Sequence, residues 1–335
     1  MKIIVDCMSG DNAPFEIVKG ALIGAKKENV TLIMVGTKNR IEEAAKKCSM
    51  SLEGHEIIEN TGENILMTDD PSVVTKEKNE SSMAVSLKLL KEGAGDAVVC
   101  AGSTGALFTG STLILRRIKG VRRPALGAII PVGSPALIAD SGANVLCTPD
   151  DLVMFARMGS IYMNKVMGIE NPKVGLINNG EEECKGTELQ KEVYQRLKAL
   201  DEINFKGNVE GREIFKGPCD VLVCDGFTGN IVLKMVEGGG KFVKTCLKKI
   251  FYRNIFSKLA YIFAKSSVKA LQQEMDYSIY GGAPFLGIAK PVIKAHGSAN
   301  HVSIAVCIGQ AKRYASSGMI DYIASLSTKT ESNQQ

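Results

Sequence analysis

The sequence predicts an α/β protein with a mixed, mostly parallel, doubly wound sheet covered by helices on both faces, a three-layer α/β/α architecture. Three observations carry this. Short, near-continuous apolar runs alternate with stretches of helical periodicity along most of the 335 residues. Three of those runs end in a glycine-bearing polar turn that opens a helix: AVVCAGSTGA at 97–106, VGLINNGEEECKG at 174–186 and VLVCDGFTGN at 221–230. Residues 125–140 break the alternation with two strands around 132–135, which predicts an antiparallel hairpin.

Residues 2–6 are the first strand, since the three apolar residues after Lys2 are too few for the core of a signal peptide. Helical periodicity follows over 15–28, then a strand over 31–36 and a helix over 39–48. A helix over 81–92 leads into the strand 97–101, and the hairpin strands 125–131 and 136–140 precede a helix over 150–167. The strand 174–178 is followed by a helix over 187–200, which Thr187 and Gln190 open as a capping box. The strand 221–225 leads into a helix for which Thr228 is the expected cap, with Asp225 and Asn230 at its mouth. Residues 291–295 and 299–317 read as the last strand and helix. The tail after Ser325, STKTESNQQ, lacks apolar anchors and is expected to be disordered over 326–335. Residues 1–325 then form one large α/β domain, or two intertwined subdomains.

An apolar content of 45% at this length supports a large core. Nine cysteines form no CxxC pair and several lie inside apolar runs, so a reducing, cytoplasmic setting is expected. The weakly polar stretch 124–147 is broken by Pro131, Gly133, Pro135 and Asp140, which excludes a continuous membrane-spanning helix there, and a soluble protein is expected. The net charge of +5 is local. Eight lysines and arginines and no acidic residue lie between Gly238 and Gln273, leaving 33 basic against 36 acidic residues elsewhere. In this stretch Leu247, Ile250, Phe251, Ile255, Leu259, Ile262 and Phe263 recur at helical spacing among basic residues, predicting a basic amphipathic projection over about 241–273. Three readings fit it: a membrane-surface helix, a core-facing helix with a solvated basic face, or a dock for an acidic protein.

At the three strand-to-helix turns the first helical N–H groups lack intrahelical acceptors and sit at the positive end of the helix dipole, which suits phosphate or a developing oxyanion. No Walker lysine follows any of them, and none has GxGxxG spacing, so anion binding is expected without a nucleotide. The three histidines, His55, His296 and His301, have no metal-site spacing, and no GxSxG elbow is present. Cys184, beside Lys185, is either an activated thiol or a passive turn residue. The groups that remain suit attack by a bound anion more than attack by a protein nucleophile.

An ordered set of motifs extends this reading: VDCMSGDNAP from Val5, NESSMAVSL from Asn79, CAGSTGA from Cys100, DSGANV from Asp140, GEEECKG from Gly180, GNVEGR from Gly207, CDGFTGN from Cys224, YGGAPFLG from Tyr280 and IKAHGS from Ile293. In this set, spread from the first strand to about residue 320, the chain resembles the bacterial phosphate acyltransferases of phospholipid synthesis. Ser9 stands where that family usually has a glycine, and Ser103 where it often has asparagine. The resemblance implies a fold similar to the isocitrate and isopropylmalate dehydrogenases and the phosphotransacetylases, a homodimer, and no cofactor or metal. It implies acyl-acyl-carrier protein and inorganic phosphate as substrates, with phosphate attacking the thioester. Lys185 is then expected to hold phosphate, Asp225 to orient Lys185 or accept a proton, and Asn230, with the 226–229 backbone, to stabilise the oxyanion. Ser82, Gly102, Ser103, Thr104, Gly105, Asn144, Gly180, Gly226, Gly229 and His296 are the expected substrate-binding positions, with Asp6, Asp11 and Glu210 as secondary candidates. The long-chain product recasts the basic segment as a peripheral contact with the anionic inner face of the cell membrane, through Arg253, Ile255, Phe256, Leu259, Ile262 and Phe263. A membrane glycerol-phosphate acyltransferase downstream is a further candidate partner, and nucleic acid is not expected. The competing functions are phosphotransacetylase-like transfer to coenzyme A, a β-decarboxylating dehydrogenase, and a non-enzymatic acyl-chain scaffold.

Overall fold

The computed structural model describes residues 1–60, 62–274 and 277–332. The described strands are β1 (Lys2–Asp6), β2 (Thr31–Val35), β3 (Glu56–Ile58), β4 (Ala97–Cys100), β5 (Ala125–Val132), β6 (Ser134–Ala139), β7 (Lys173–Asn178), β8 (Asn204–Glu210), β9 (Val221–Val223), β10 (Ala283–Leu286) and β11 (Val292–Lys294). The helices are α1 (Phe15–Glu28), α2 (Lys38–Lys47), α3 (Ser82–Lys91), α4 (Thr104–Gly110), α5 (Pro149–Lys165), α6 (Glu188–Lys198), α7 (Gly226–Phe251), α8 (Ile255–Glu274), α9 (His301–Ser316) and α10 (Met319–Ser332). The sequence pattern does not reveal β3, β8 or β10. β3 and β8 are edge strands with polar residues, and β10 is four residues long with a proline.

One sheet holds the strands in the order β3-β2-β1-β4-β11-β10-β5-β6-β9-β7-β8. β1, β2, β3, β4 and β11 are mutually parallel, as are β6, β7, β8 and β9. Between these blocks β10 is antiparallel to β11 and to β5, and β5 is antiparallel to β6, confirming the hairpin. Three reversals invert the strand direction, so the carboxyl ends of the two parallel blocks point oppositely along the sheet. The strand-to-helix turns therefore do not share one edge. The turn at Gly102 follows β4, while those at Gly180 and Gly226 follow β7 and β9.

One sheet face is continuously covered: residues of α1, α2, α5, α6, α9 and α10 join Ile3, Val5, Ile129, Leu137 and Val223 in a single core cluster. The other face carries two separate clusters. α3 and α4 cover Ile4, Val98, Cys100, Phe285 and Val292, and α7 places Val232, Leu233 and Val236 over Ile130, Ile138 and Leu222. A seam thus divides this face near β5, whose Leu126 belongs to one cluster and Ile130 to the other. α10 continues to Ser332, past the point where the sequence predicts disorder. Residues 333–335 lie outside the described residues.

The basic projection is two helices. α7 ends at Phe251, Asn254 accepts from the Ser257 N–H at 2.8 Å, and α8 follows. Phe251 and Tyr252 pack on Tyr261 with ring centroids 5.3 and 6.2 Å apart, joining the pair. Most apolar residues of α8 face outward, with Val268 buried. Phe256 and Phe263 are 77% and 88% exposed, and Ile255, Leu259 and Ile262 are exposed too.

α1 and α9 pack so closely that a methyl group on Gly20 would lie 2.5 Å from the His301 carbonyl oxygen and 2.6 Å from Ile304 Cβ. Gly20→Ala is expected to destabilise by about 1–3 kcal/mol, read as a lower denaturant midpoint at unchanged slope. Gly239→Ala, in open space on α7, is expected to stabilise by about 0.5–1 kcal/mol in the same assay.

Candidate active site

The carboxyl ends of β6, β9 and β7 adjoin. Asp140, just past β6, is fully buried, and the chain folds around its carboxylate. Oδ1 accepts from the N–H groups of Leu126 (2.9 Å), Gly142 (3.2 Å) and Ala143 (3.1 Å), and Oδ2 from Asn144 N–H (2.6 Å) and its side-chain amide (2.9 Å). Burial pushes this carboxyl above its ordinary range, and the N–H donors oppose that rise. The Asn144 carbonyl in turn accepts the Gly226 N–H at 2.7 Å, which docks the start of α7 on the Asp140 turn. Only glycine fits there: a methyl group on Gly229 would lie 1.9 Å from the Asp140 carbonyl oxygen.

Asp225, not Thr228, caps α7. It accepts from Thr228 N–H at 2.8 Å and Thr228 Oγ1–H at 3.0 Å. Gly226 N–H goes to Asn144 and Gly229 N–H to the Asp225 carbonyl at 2.9 Å, so these glycines are not the free anion donors expected of them. In this turn the Phe227 N–H, second in the helix and without an intrahelical acceptor, and the exposed Asn230 amide remain. Asn144 is likewise committed: its amide also donates to the Pro124 carbonyl at 2.8 Å.

On the neighbouring strand, the Lys185 loop connects β7 to α6. Thr187 and Gln190 form the expected capping box, and Asn178 holds the loop by donating to the Lys185 carbonyl at 3.2 Å. The Lys185 stem lies along Gly180, where a methyl group would meet its Cγ at 2.6 Å, and the side chain is exposed. Because β7 and β9 are adjacent and parallel, with Leu176 beside Val223, the Lys185 loop and the Asp225 turn share one edge. Glu210, at the end of β8, pairs with Arg212 at 2.6 Å.

The other group gathers at the carboxyl ends of β1, β4 and β11. Asp6 Oδ1 accepts Met8 N–H at 3.1 Å and Oδ2 the Cys100 thiol at 3.1 Å. Ser103 caps α4, accepting the Ala106 N–H at 3.5 Å, while Thr104 is half-buried and Gly105 exposed in its first turn. Gly102 is wedged between Met83 and Ser9. Ser9 and Ser82 bury hydroxyls with no hydrogen-bond partner among the described residues. Asp11 N–H bonds the Gly297 carbonyl at 2.8 Å, and His296 is exposed, its Nδ1 accepting Ser298 N–H at 3.2 Å.

α7 links the two groups. Asn230, Lys234, Glu237 and Lys241 recur at helical spacing along one side of it, and Lys234 pairs with Glu237 at 2.9 Å. Burial lowers the His296 pKa, with Lys294, Lys234 and Lys241 adding to the fall and Glu237 opposing it, which puts this stripe beside the β11 end. Lys294, missed as a candidate, is buried there; its signal was a charge within the apolar strand run 291–295.

All nine cysteines are free. Burial, then Asp140, Asp151 and Asp225, push the Cys147 thiol up to about 12, and burial raises Cys100 and Cys224 as well. These thiols are poor nucleophiles at neutral pH. Cys184 is exposed beside Lys185. Among the described residues no group of three or more His, Cys, Asp or Glu side chains is arranged to hold a metal ion.

The family model described as "Fatty acid synthesis protein" matches residues 1–322. A phosphate acyltransferase of Alkaliphilus oremlandii is 43% identical over 325 residues, covering 97% of this chain and 96% of the relative. One from Clostridioides difficile is also 43% identical over 325 residues, covering 96% and 95%. The chain belongs to the phosphate acyltransferase family. It is an acyltransferase. A phosphotransacetylase from Streptococcus pyogenes superposes with TM-score 0.63 at 16% identity, over 94% of both chains. A 4-hydroxythreonine-4-phosphate dehydrogenase from Klebsiella pneumoniae does so with TM-score 0.56 at 11% identity, over 94% of this chain and 99% of that one. These likenesses bear out the expected mixed, mostly parallel α/β fold.

Asp140→Ala strips the acceptor from the Leu126, Gly142, Ala143 and Asn144 N–H groups. It is expected to cost on the order of 2–4 kcal/mol and to loosen α7, seen as lost hydrogen-exchange protection at Gly226.

Proposed function

We propose that the chain transfers the acyl group of a long-chain acyl-acyl-carrier protein to inorganic phosphate, giving acyl phosphate and free carrier protein for phospholipid synthesis. The observation that supports this best is the pairing of the Lys185 loop and the Asp225–Asn230 turn on adjacent parallel strands, in a chain whose 43% identical relatives are phosphate acyltransferases. A phosphate oxygen attacks the thioester carbonyl carbon, the tetrahedral oxyanion collapses, and the carbon–sulfur bond breaks to release the carrier's thiolate. Lys185 holds and neutralises phosphate. The Asn230 amide and the Phe227 N–H meet the oxyanion. Asp225 orients the Asn230 turn through its bonds to Thr228 and, on turning from that cap, accepts the phosphate proton. The raised thiols at Cys100, Cys147 and Cys224 favour direct attack over an acyl-cysteine intermediate.

A second reading, transfer between acyl phosphate and coenzyme A, draws on the phosphotransacetylase-like fold. Release of carrier thiol that requires phosphate and yields hydroxylamine-trappable product supports the first reading; the same turnover with coenzyme A in place of carrier protein supports the second. Lys185→Ala is expected to lower kcat/KM about 10²–10³-fold in this assay, and unchanged turnover would remove Lys185 from the mechanism.

The exposed apolar side chains of α8 beside Arg253, Lys258 and Lys265 favour a membrane or protein contact over the core-facing reading. No helix among the described residues is long and apolar enough to cross a membrane. We assign α8 to peripheral contact with an anionic bilayer at the cytoplasmic face, where a membrane glycerol-phosphate acyltransferase would take the product, and the working unit to a homodimer. Leu259→Glu with Ile262→Glu is expected to abolish co-sedimentation with anionic vesicles at unchanged melting temperature, and retained binding would overturn this role.

A further inference from the structure

Between Asp96 and Asp140 the sequence holds no acidic residue, and its five basic ones, Arg116, Arg117, Lys119, Arg122 and Arg123, fall within eight positions just before β5. The segment is clamped. Arg117 bridges Ile288 in antiparallel fashion, the Ile118 N–H donates to the Gly287 carbonyl at 2.9 Å, and the Ala289 N–H donates to the Arg116 carbonyl at 3.0 Å. Ile118 and Val121 enter the continuous core of the sheet, while all five basic residues stay exposed. Buried anchors thus fix the backbone that carries these cations.

Little of this charge is neutralised. Arg122 pairs with Asp151 at 2.6 Å, and Arg123 lies 3.9 Å from the same carboxylate. The nearby Asp150 is taken by Arg196 at 2.6 Å. Among the described residues no ion pair reaches Arg116, Arg117, Lys119 or the exposed Lys290, which follows Ala289 and adds a further base. The patch also adjoins the reaction edge. Arg123 donates to the Leu146 carbonyl at 2.6 Å, and the neighbouring Pro124 carbonyl accepts the Asn144 amide at 2.8 Å, which ties the segment to the turn 142–146. A methyl group on Gly142 would lie 3.6 Å from Asn230 Cβ, so this turn abuts the oxyanion donor assigned above. The same turn leaves Val145 and Leu146 62% and 81% exposed. Unpaired cations of one sign around exposed apolar side chains suit the docking of an acidic protein.

We propose that the segment 116–123, with Lys290, Val145 and Leu146, docks the acidic face of the acyl carrier protein and so delivers its thioester to the Asp225–Asn230 turn. This rests on the acyl transfer above and adds to it the protein contact that the reaction requires. Carboxylates of the carrier meet Arg116, Arg117 and Lys119, and an apolar side chain of the carrier seats on Val145 and Leu146. Complementary charge of this kind speeds encounter and orients the partner while leaving the chemical step unchanged. A bilayer fits this surface less well, because two apolar side chains offer it far less to bury than Phe256, Leu259, Ile262 and Phe263 of α8. Continuity with the reaction edge favours the partner that carries the substrate.

Arg116→Glu with Lys119→Glu reverses two exposed cations outside the catalytic turns. This variant is expected to raise KM for acyl-acyl-carrier protein about 10- to 30-fold and to flatten its salt dependence. Its kcat, its KM for phosphate and its turnover of a protein-free acyl-pantetheine thioester are expected to stay within about twofold of wild type. Calorimetric titration with carrier protein is expected to show the same loss of affinity. Wild-type carrier affinity in the folded variant overturns the proposal, as does an equal loss with acyl-pantetheine, which marks damage to the reaction site itself. Lost binding to anionic vesicles with carrier affinity retained also overturns it and gives the patch to a membrane. Lys258→Glu with Lys265→Glu on α8 is expected to leave carrier affinity unchanged, and a fall there with none at 116 and 119 moves the dock to α8. If the first variant fails to fold, Lys119→Glu alone is read by the same criteria at roughly threefold. Absence of phosphate-dependent thiol release from acyl-carrier protein by the wild-type enzyme would instead overturn the parent reaction, and carrier titration of the two proteins still decides the docking surface.

Discussion

The Asp140 carboxylate, buried and bound by N–H groups from Leu126 and from the turn 142–144, sets the position of nearly everything on the seam side of the sheet. Desolvating it is costly, and the donors gathered around it offset that cost only while the turn keeps its shape. The Asn144 carbonyl that results receives the first N–H of α7, and the Gly229 contact leaves no room for α7 to shift. A 26-residue helix is about 39 Å long. Anchoring its first turn therefore aims a polar stripe from Asn230 to Lys241 across the sheet, toward His296 and Lys294.

That stripe matters because the sheet inverts. With β10, β5 and β6 reversing direction between the two parallel blocks, the anion-binding turns divide into two groups that loops alone would not connect. The seam between the two core clusters and the helix beside it bring the groups into one field. Lys185, Asp225 and Asn230 then lie at one end and Lys294, Ser9 and Ser103 at the other. A reaction between a small anion and a thioester on a long arm has use for two such poles.

Much of this was legible in the sequence, and the exceptions have physical causes. Residues 15–28 and 2–6 match their observed elements because period and burial agree there. The Thr187 and Gln190 box is local chemistry and holds. The cap of α7 was misplaced by three residues because Asp225 and Thr228 are both good caps, and only the backbone angle of Asp225 decides between them. The commitment of Asn144 to the Pro124 carbonyl and of the Gly226 N–H to the Asn144 carbonyl was hidden, since each partner lies in another segment of the chain. β10 was missed because four residues with a proline carry no period.

The sequence by itself determined the alternation of strands and helices, the hairpin, the family and the residue types available for chemistry, all of which follow from local periodicity and ordered motifs. The tertiary structure alone decided which turns meet, that strand direction reverses midway, that Phe256, Leu259, Ile262 and Phe263 of α8 face outward, and that Lys294 is buried. These depend on strand order and register. Hydrogen bonding between distant segments sets both, and the two pairings that join the halves of the sheet, β4 with β11 and β5 with β10, link strands more than a hundred residues apart, which no short window of sequence contains.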